Sequence, residues 1–471
     1  MSKLFVFGIG GTGSRVLRSL TMMLASGVKV GVDEVVPIII DPDTSNADLT
    51  RTVSLLNKYS AIRSNLQFSV ENESRFFRTE IKQILPNYTL LINDTDDKSF
   101  QQFINYASMS KANQALTKML FSDKNLQSSM KVGFKGNPNI GSVVLNQIAH
   151  SIDFATFAND FSAGDRIFIV SSIFGGTGAS GFPLLLKTLR TGSNFSNHNI
   201  INRATIGAIT ILPYFKVKQD EDSEIDSSTF ISKTKSALAY YESNISKNGS
   251  IDSKNGSIDA LYYLADDVAK TYENHEGGSS QQNDAHLIEF LGATAIVDFS
   301  NSSYMGTANM ELGIKDDANT VSFNSFYHKM RNMLYNPMVQ FTMMANALTH
   351  KIDRYRSSSF NANKGNFEDL YDGTFFNDLT DFFRKYLEWL KEMRENKRSL
   401  YLFNLSCGDK PFDLVEGVKP KRILSKFSDY NLVTDRLNSA IRNCKSNGKE
   451  NKFLEMFYLA TQKLVKEKLS N

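Results

Sequence analysis

Only two of the 471 residues are cysteine, Cys407 and Cys444, and a single one, Trp389, is tryptophan. Two thiols cannot build a disulfide framework, and their scarcity fits a reducing compartment, so a cytoplasmic protein is expected. Histidine is also thin. The six are scattered without ligand spacing, which argues against a protein-ligated zinc centre. No apolar run approaches the roughly 20 residues that span a bilayer, and the N-terminus reads as a core strand, not a charged-then-apolar leader. Charge of one sign is lacking as well: 53 Lys and Arg against 50 Asp and Glu leave +3. A balance that close gives no strong field toward nucleic acid or an anionic membrane, and neither is expected as a partner. No nucleophile-elbow or Cys-His arrangement appears.

What the chain does have is the run GGTG, twice. The first copy lies in KLFVFGIGGTGSRVLRSL, from Lys3 to Leu20, and the second in DRIFIVSSIFGGTGASGFPLLLKTL, from Asp165 to Leu189. Each sits between a β-branched, apolar stretch and a helix-like one. A strand feeding a glycine turn feeding a helix aims unpaired backbone N–H groups and the positive end of a helix dipole at one spot, which attracts phosphate. Two such spots suggest a nucleotide with a long phosphate tail, held from two sides.

The length suggests two or three domains. The first 300 residues alternate short apolar runs with helical periods, as parallel α/β units do. Strands are expected at Leu4 to Phe7, Val35 to Ile40, Thr89 to Ile92, Arg166 to Val170, Thr205 to Leu212 and Ala260 to Leu264, most of them apolar on both faces. The stretch from Ser246 to Asp259 is one heptapeptide written twice and reads as an exposed turn-rich loop. After about Thr320 the texture becomes helical, rich in Phe, Leu, Met, Lys and Glu, with few strand signals. The expected division is an α/β nucleotide-binding domain over residues 1–300 and a mostly helical domain over 301–471. Met-rich KMRNMLYNPMVQFTMMANAL and Trp389 read as helix core.

Gly8, Gly10 and Gly13 satisfy GxGxxG directly after a strand, and Asp41 and Asp43 stand at the end of the second strand, where a carboxylate holds a ribose in dinucleotide enzymes. On that ground alone, an oxidoreductase using NAD or FAD stays open. Other features point elsewhere. Gly136 and Asn137 precede Pro138, which suits a first helical turn. Asn283 and Asp284 open a later helix, and their oxygens could accept from guanine N1–H and N2–H2, groups that adenine lacks.

In this order the pieces resemble the tubulin and FtsZ superfamily of GTP-binding proteins, from roughly Lys3 to Phe299. GIGGTG looks like the first phosphate loop, IIIDPDTSNADL like the second-strand loop, GNPNIG like the third, with its Asn-Pro-x-x-Gly. SSIFGGTGASGFP resembles the signature loop, GAITILPYF the strand before the sugar-side loop, and NDAHLIEFLG the start of the central helix. The resemblance implies a Rossmann-like parallel sheet, bound GTP or GDP with Mg²⁺ on the phosphates, and head-to-tail self-association into filaments or a dimer; the mostly helical C-terminal domain departs from the β-containing domain that follows the central helix in FtsZ and tubulin. Phosphate contacts are implied at Gly10, Gly11, Thr12, Gly13, Ser14, Gly175, Gly176, Thr177, Gly178 and Ala179. Asp41, Asp43, Gly136 and Asn137 would help close the site, and Asn283 with Asp284 would select guanine.

Departures accompany the matches. Phe174 replaces the signature's first glycine, and Ala179 with Ser180 stand where its last two residues fall. Lys216 and Lys218 replace the sugar-side acidic and Arg pair. No aromatic precedes Asn283 to stack on the base, leaving Tyr262, Tyr263 or Tyr272 as substitutes. The acidic loop that completes the next subunit's site has three partial counterparts, Asp298, Asp316 and Asp317, and Asp298 comes early for the end of a full-length central helix. GTP hydrolysis is therefore expected to be slow or assembly-dependent. The rival readings are a non-polymerising nucleotide-gated adaptor of a bacterial defence or segregation system, presenting its helical domain to a protein partner, and the NAD or FAD oxidoreductase.

Overall fold

The computed structural model describes residues 2–69, 72–93, 95, 97–130, 134, 136–217, 230–244, 258–266, 271–272, 278–280, 282–302, 308–311, 314–315, 319–358, 367–408, 410–421 and 428–469. Asp316, Asp317, Lys218 and residues 246–257 of the heptapeptide repeat lie outside them, as does the side chain of Tyr272.

The strands of the main sheet come mostly from continuous apolar runs, and its long central members are buried on both faces. The strands are β1 (Lys3–Ile9), β2 (Glu34–Ile40), β3 (Glu80–Ile81), β4 (Thr89–Leu90), β5 (Arg166–Ser172), β6 (Thr205–Ile211), β7 (Ala260–Leu264) and β8 (Ala308–Glu311). They form one eight-stranded sheet in the order β8-β7-β6-β5-β1-β2-β3, with β4 pairing β2. Every pairing in it is parallel. All six expected strands are present; the short β3 and edge β8 are additions.

The helices that matter below are α1 (Gly10–Ala25), α2 (Ala47–Ser64), α3 (Lys111–Leu120), α4 (Pro138–Leu145), α5 (Ile152–Asp160), α6 (Gly176–Thr191), α7 (Phe230–Asn244), α8 (Leu287–Asn301), α9 (His328–His350), α10 (Thr374–Glu395), α11 (Asp429–Ala440) and α12 (Lys449–Leu464). Strand alternation assigns them to faces. Phe5 and Phe7 both meet Phe157 of α5 at 5.1 Å between ring centroids, and Ile9 meets Gly181 of α6. Gly8 points the other way, toward Leu17 of α1. On that second face α1 packs against α2 and α8.

α8 is buried from Leu287 to Ser300, as its almost wholly apolar sequence requires. It runs on through Asp298, which therefore lies within the helix and not in a loop after it, in keeping with its short spacing from Gly292. The acid is tolerated because Tyr262 donates to it at 2.9 Å and Lys329 pairs with it at 2.5 Å. Behind this layer lie the C-terminal helices. Trp389 of α10 stacks over Phe290 at 6.1 Å and donates its indole N–H to Ser19. Met330, Met338, Met343 and Met344 are buried in α9, as a helix core demands. One two-residue pairing, Thr320–Val321 with Ser399–Leu400, interrupts the helical texture. No helix among the described residues is long and apolar enough to cross a membrane.

Candidate functional site

From β1 the chain first builds outward through β2 and β3, then returns to place β5 on β1's other side. Neighbouring strands whose connections diverge in this way leave a crevice at their carboxyl ends, the usual ligand position in open parallel sheets. Both glycine turns are there. A Cβ at Gly10, whose φ is +72°, would stand 3.5 Å from Thr177 Cβ and 3.8 Å from the Gly178 nitrogen, so the turns face each other with room for about one methyl group between them. Each also crowds its own strand: a Cβ at Gly13 would sit 2.4 Å from the Gly8 carbonyl carbon, and one at Gly178 2.5 Å from the Ser172 oxygen. Neither α1 nor α6 has a side-chain cap or an acid in its first turn. Their leading N–H groups and dipoles are therefore uncompensated from within the helix. The buried Ser14 hydroxyl, at the end of the first turn, has no hydrogen-bond partner among the described residues.

The third loop leans on the second turn. A Cβ at Gly176 would lie 3.1 Å from the Asn137 nitrogen and 3.2 Å from that of Gly136. Asn137 spends its side-chain oxygen capping α4, accepting from Asn139 and Ile140, with Pro138 at the first position. Lys233 of α7 donates to the Gly136 carbonyl at 3.1 Å. Between these elements opens a cavity of about 790 Å³, walled by Gly136, Asn137, Phe174, Gly175, Lys233 and Tyr241 among others. That volume is ordinary for a small-molecule site. The first turn is not among its walls.

Phe174 fills the place of a glycine for a packing reason. Its ring lies 5.2 to 6.0 Å from those of Phe230, Phe215 and Tyr214, and the residue is 5% exposed. Tyr214 in turn meets His286 at 4.8 Å, which brings the segment after β6 against the start of α8.

A buried charge network, not anticipated from the sequence, ties the remaining segments together. Arg15, two residues past the first GGTG, donates to Glu289 at 2.5 Å, Asp48 at 3.0 Å and the Tyr214 hydroxyl at 3.1 Å. Burial raises the Glu289 pKa while Arg15 opposes the rise; Tyr214 is pushed up to about 12, chiefly by burial. Asp48 also accepts from the backbone and carboxamide nitrogens of Asn283, at 3.0 and 2.7 Å. The carboxamide is thereby oriented, its oxygen being the end that Asp48 does not engage. The signal in the sequence was a lone Arg and a lone Glu inside otherwise apolar helix starts.

Asp41 and Asp43 are both buried at the end of β2. Asp43 accepts from Ser45 and from the Gly278 nitrogen at 2.8 Å. Asp41 accepts from the Asp43 nitrogen, and its pKa rises to about 7, first through burial and then through Asp43 and Asp48. Asp284 is exposed; residual desolvation and the nearby Glu392 raise its pKa. Glu392 of α10 accepts from Arg18 at 3.0 Å, from Arg51 and from the Ala285 nitrogen, so a C-terminal helix anchors the segment carrying Asn283 and Asp284. Asp298 is not brought to this cluster: it lies near the far end of α8, engaged by Tyr262 and Lys329. Tyr262 is buried there too, while Lys216 falls in a two-residue pairing with Thr271. No group of three or more His, Cys, Asp or Glu among the described residues is arranged to hold a metal ion.

No protein-family model and no curated protein matches this sequence. Among solved structures it is similar to a GTPγS-bound protofilament of CetZ2 from Haloferax volcanii, at 14% identity and a TM-score of 0.28, over 56% of this chain and 49% of that one. An empty FtsZ dimer from M. jannaschii gives 16% identity and a TM-score of 0.27, over 56% and 45%. CetZ from Methanosaeta thermophila gives 14% and 0.23, over 56% and 46%. The chain thus spans about half the length of the structures it matches. Likenesses this weak carry no argument about the site, which rests on the sheet order and the contacts above.

Proposed function

We propose that the protein binds a guanine nucleotide at the junction of its two glycine turns, as a distant tubulin/FtsZ-like protein, and self-associates with its nucleotide as the control. The observation that carries this reading is the close approach of Gly10 to Thr177 and Gly178 at the carboxyl ends of β1 and β5. Two helix starts without caps or acids, meeting at a sheet's reversal point, supply backbone donors for a polyphosphate. The described residues fit such a group: Gly10, Gly11, Thr12, Gly13 and Ser14 on one side, Gly175 to Ala179 on the other, with Gly136 and Asn137 beside the second turn. An orphaned Ser14 hydroxyl is a further donor. Asn283, oriented by Asp48, and the exposed Asp284 present oxygens to the N–H groups that distinguish guanine from adenine. Asp41, with its pKa near 7, carries a proton much of the time near neutral pH, which lessens repulsion of phosphate. Mg²⁺ would ride on the phosphates and water, since the described side chains offer no cluster for it.

Residues 1–300 form the nucleotide-binding unit in this reading, and 301–471 a helical unit that senses it through Glu392. Asp298, engaged at the opposite end of α8, is unavailable within its own subunit; turnover is slow unless assembly supplies an acid from a neighbour. Calorimetry with GTP, GDP and ATP, together with Asp284→Ala, tests the proposal. Guanine preference that falls in the variant supports it. Release of NAD or FAD from the denatured protein, with no GTP binding, overturns it in favour of the oxidoreductase. GTP-dependent light scattering with electron microscopy separates filament from adaptor.

A further inference from the structure

A near-neutral chain conceals a strongly basic segment. Residues 98–135, which follow directly on Asp94, Asp96 and Asp97, hold six lysines, at 98, 111, 118, 124, 131 and 135, against the single acid Asp123, for +5; the remaining 47 basic and 49 acidic residues sum to −2. In the middle of this segment stands α3, KANQALTKML, with no buried residue. Its orientation is inverted. A surface helix normally turns its apolar stripe inward, yet α3 attaches through its polar side. Gln114 donates to the Tyr106 and Met109 carbonyls at 3.2 Å, and Thr117 donates to Met109 Sδ at 3.6 Å. Phe121 against Phe100, at 4.8 Å, pins the helix end to the body. The opposite side, at helical spacing, is Ala112, Ala115, Leu116, Met119 and Leu120, all exposed, with Leu116 at 54%, Met119 at 83% and Leu120 at 64%. Lys111 and Lys118 flank that stripe.

We propose that α3 is a membrane-surface helix, which docks the protein on a bilayer of anionic lipid. Its chemistry is that of an interfacial helix: an outward Leu/Met face to enter the acyl boundary, and lysines with no acid on the helix to meet anionic headgroups. A protein partner fits less well. A ten-residue helix is only about 15 Å long, too small for the roughly 800 Å² per partner of a stable protein interface, whereas a bilayer requires no matching contour. The attachment is weak for one copy and grows when several copies are linked. It does not depend on which nucleotide is bound.

Flotation of the full chain with phosphatidylcholine vesicles, with and without phosphatidylglycerol, tests the proposal. Binding is expected to the anionic vesicles alone and to weaken with salt. The triple change Leu116→Gln, Met119→Gln and Leu120→Gln, and separately Lys111→Glu with Lys118→Glu, should each lower lipid affinity by at least about tenfold. All five side chains are exposed, so melting temperature and nucleotide affinity should stay those of the parent. No flotation with anionic vesicles, or equal flotation of the variants, overturns the proposal. So does a concentration-dependent dimer that the triple change abolishes while vesicles are ignored, which would assign the face to a second copy.

Discussion

The two GGTG turns are identical in sequence and meet in space, but they are fixed by opposite means. The first is held by charge. Arg15, following it on α1, is satisfied by Glu289, Asp48 and Tyr214 in a site where all are buried. The second is held by volume: Phe174 before it sits in an aromatic cluster, and Tyr241 of α7 reaches the Ala179 carbonyl after it. A short motif thus fixes backbone shape, while its neighbours decide what the shape depends on. Changes in charge should injure the first turn and changes in size the second.

The largest effect should come from the shared part. Ala at Gly13 or Gly178 places a Cβ within 2.4 to 2.5 Å of backbone that cannot yield, and either variant should lose more than about 4 kcal/mol or fail to fold. Gly11→Ala is the contrast. Its Cβ would meet nothing nearer than the Arg15 guanidinium, at 3.6 Å. Stability in urea should stay within about 1 kcal/mol of the parent, while triphosphate affinity falls because the ligand's approach to the backbone is blocked. Equal destabilisation by Gly11→Ala and Gly13→Ala would erase the distinction.

Arg15→Met comes next. It strands the Glu289 carboxylate in the interior and leaves Asp48 with only Asn283 and the more distant Arg51, at a cost of about 3–5 kcal/mol. Adding Glu289→Gln should restore part of the loss, read as non-additivity in a double-mutant cycle. Phe174→Ala probes the second turn. The cavity it leaves should cost about 3 kcal/mol, the low end for a buried phenylalanine, because three neighbouring rings can partly close on it. If Phe174→Ala were harmless, packing would not be what holds that turn.

How much of this could be read from the sequence follows from the range of each interaction. β1, β2, β5, β6 and β7 were legible because parallel strands covered on both faces are continuous apolar runs. β3 and β8 were not, being two and four residues long at the sheet's edges. The strand-glycine-helix turns were legible for the same local reason, as was Asn137 before Pro138. The Arg15 network was hidden because its members are 33, 199 and 274 residues apart in sequence. Nothing local says which lone charge in an apolar helix meets which. The total charge of +3 is silent on distribution, since it averages the lysines around α3 against the rest of the chain.

Asp41 extends the comparison to pH. In the folded protein its pKa is about 7, against the ordinary 3.8, so the native state holds a proton that the unfolded chain has released. Between about pH 4 and 7 Asp41 binds less proton in the unfolded state, so its contribution to stability falls as pH rises through that window. The effect should be on the order of 2 kcal/mol after local rearrangement. Melting temperatures without nucleotide should show it as the difference in slope between the parent and Asp41→Asn, which still accepts from the Asp43 nitrogen. A variant whose slope equals the parent's over this range would remove Asp41 from the account.

The smallest effect isolates one hydrogen bond behind the second turn. Pro183 lies inside α6 and has no N–H to give the carbonyl of Ala179, four residues earlier. Tyr241 supplies the missing donor, its hydroxyl lying 3.3 Å from that oxygen. Tyr241→Phe keeps the ring against Phe182 and removes only the donor, so it should cost about 1 kcal/mol. In a Pro183→Ala background the helix provides its own N–H, and the same tyrosine change should become nearly neutral. A cycle that shows no coupling would mean that the hydroxyl and the proline are unrelated, and that α7 supports the second turn through its aromatic surface alone.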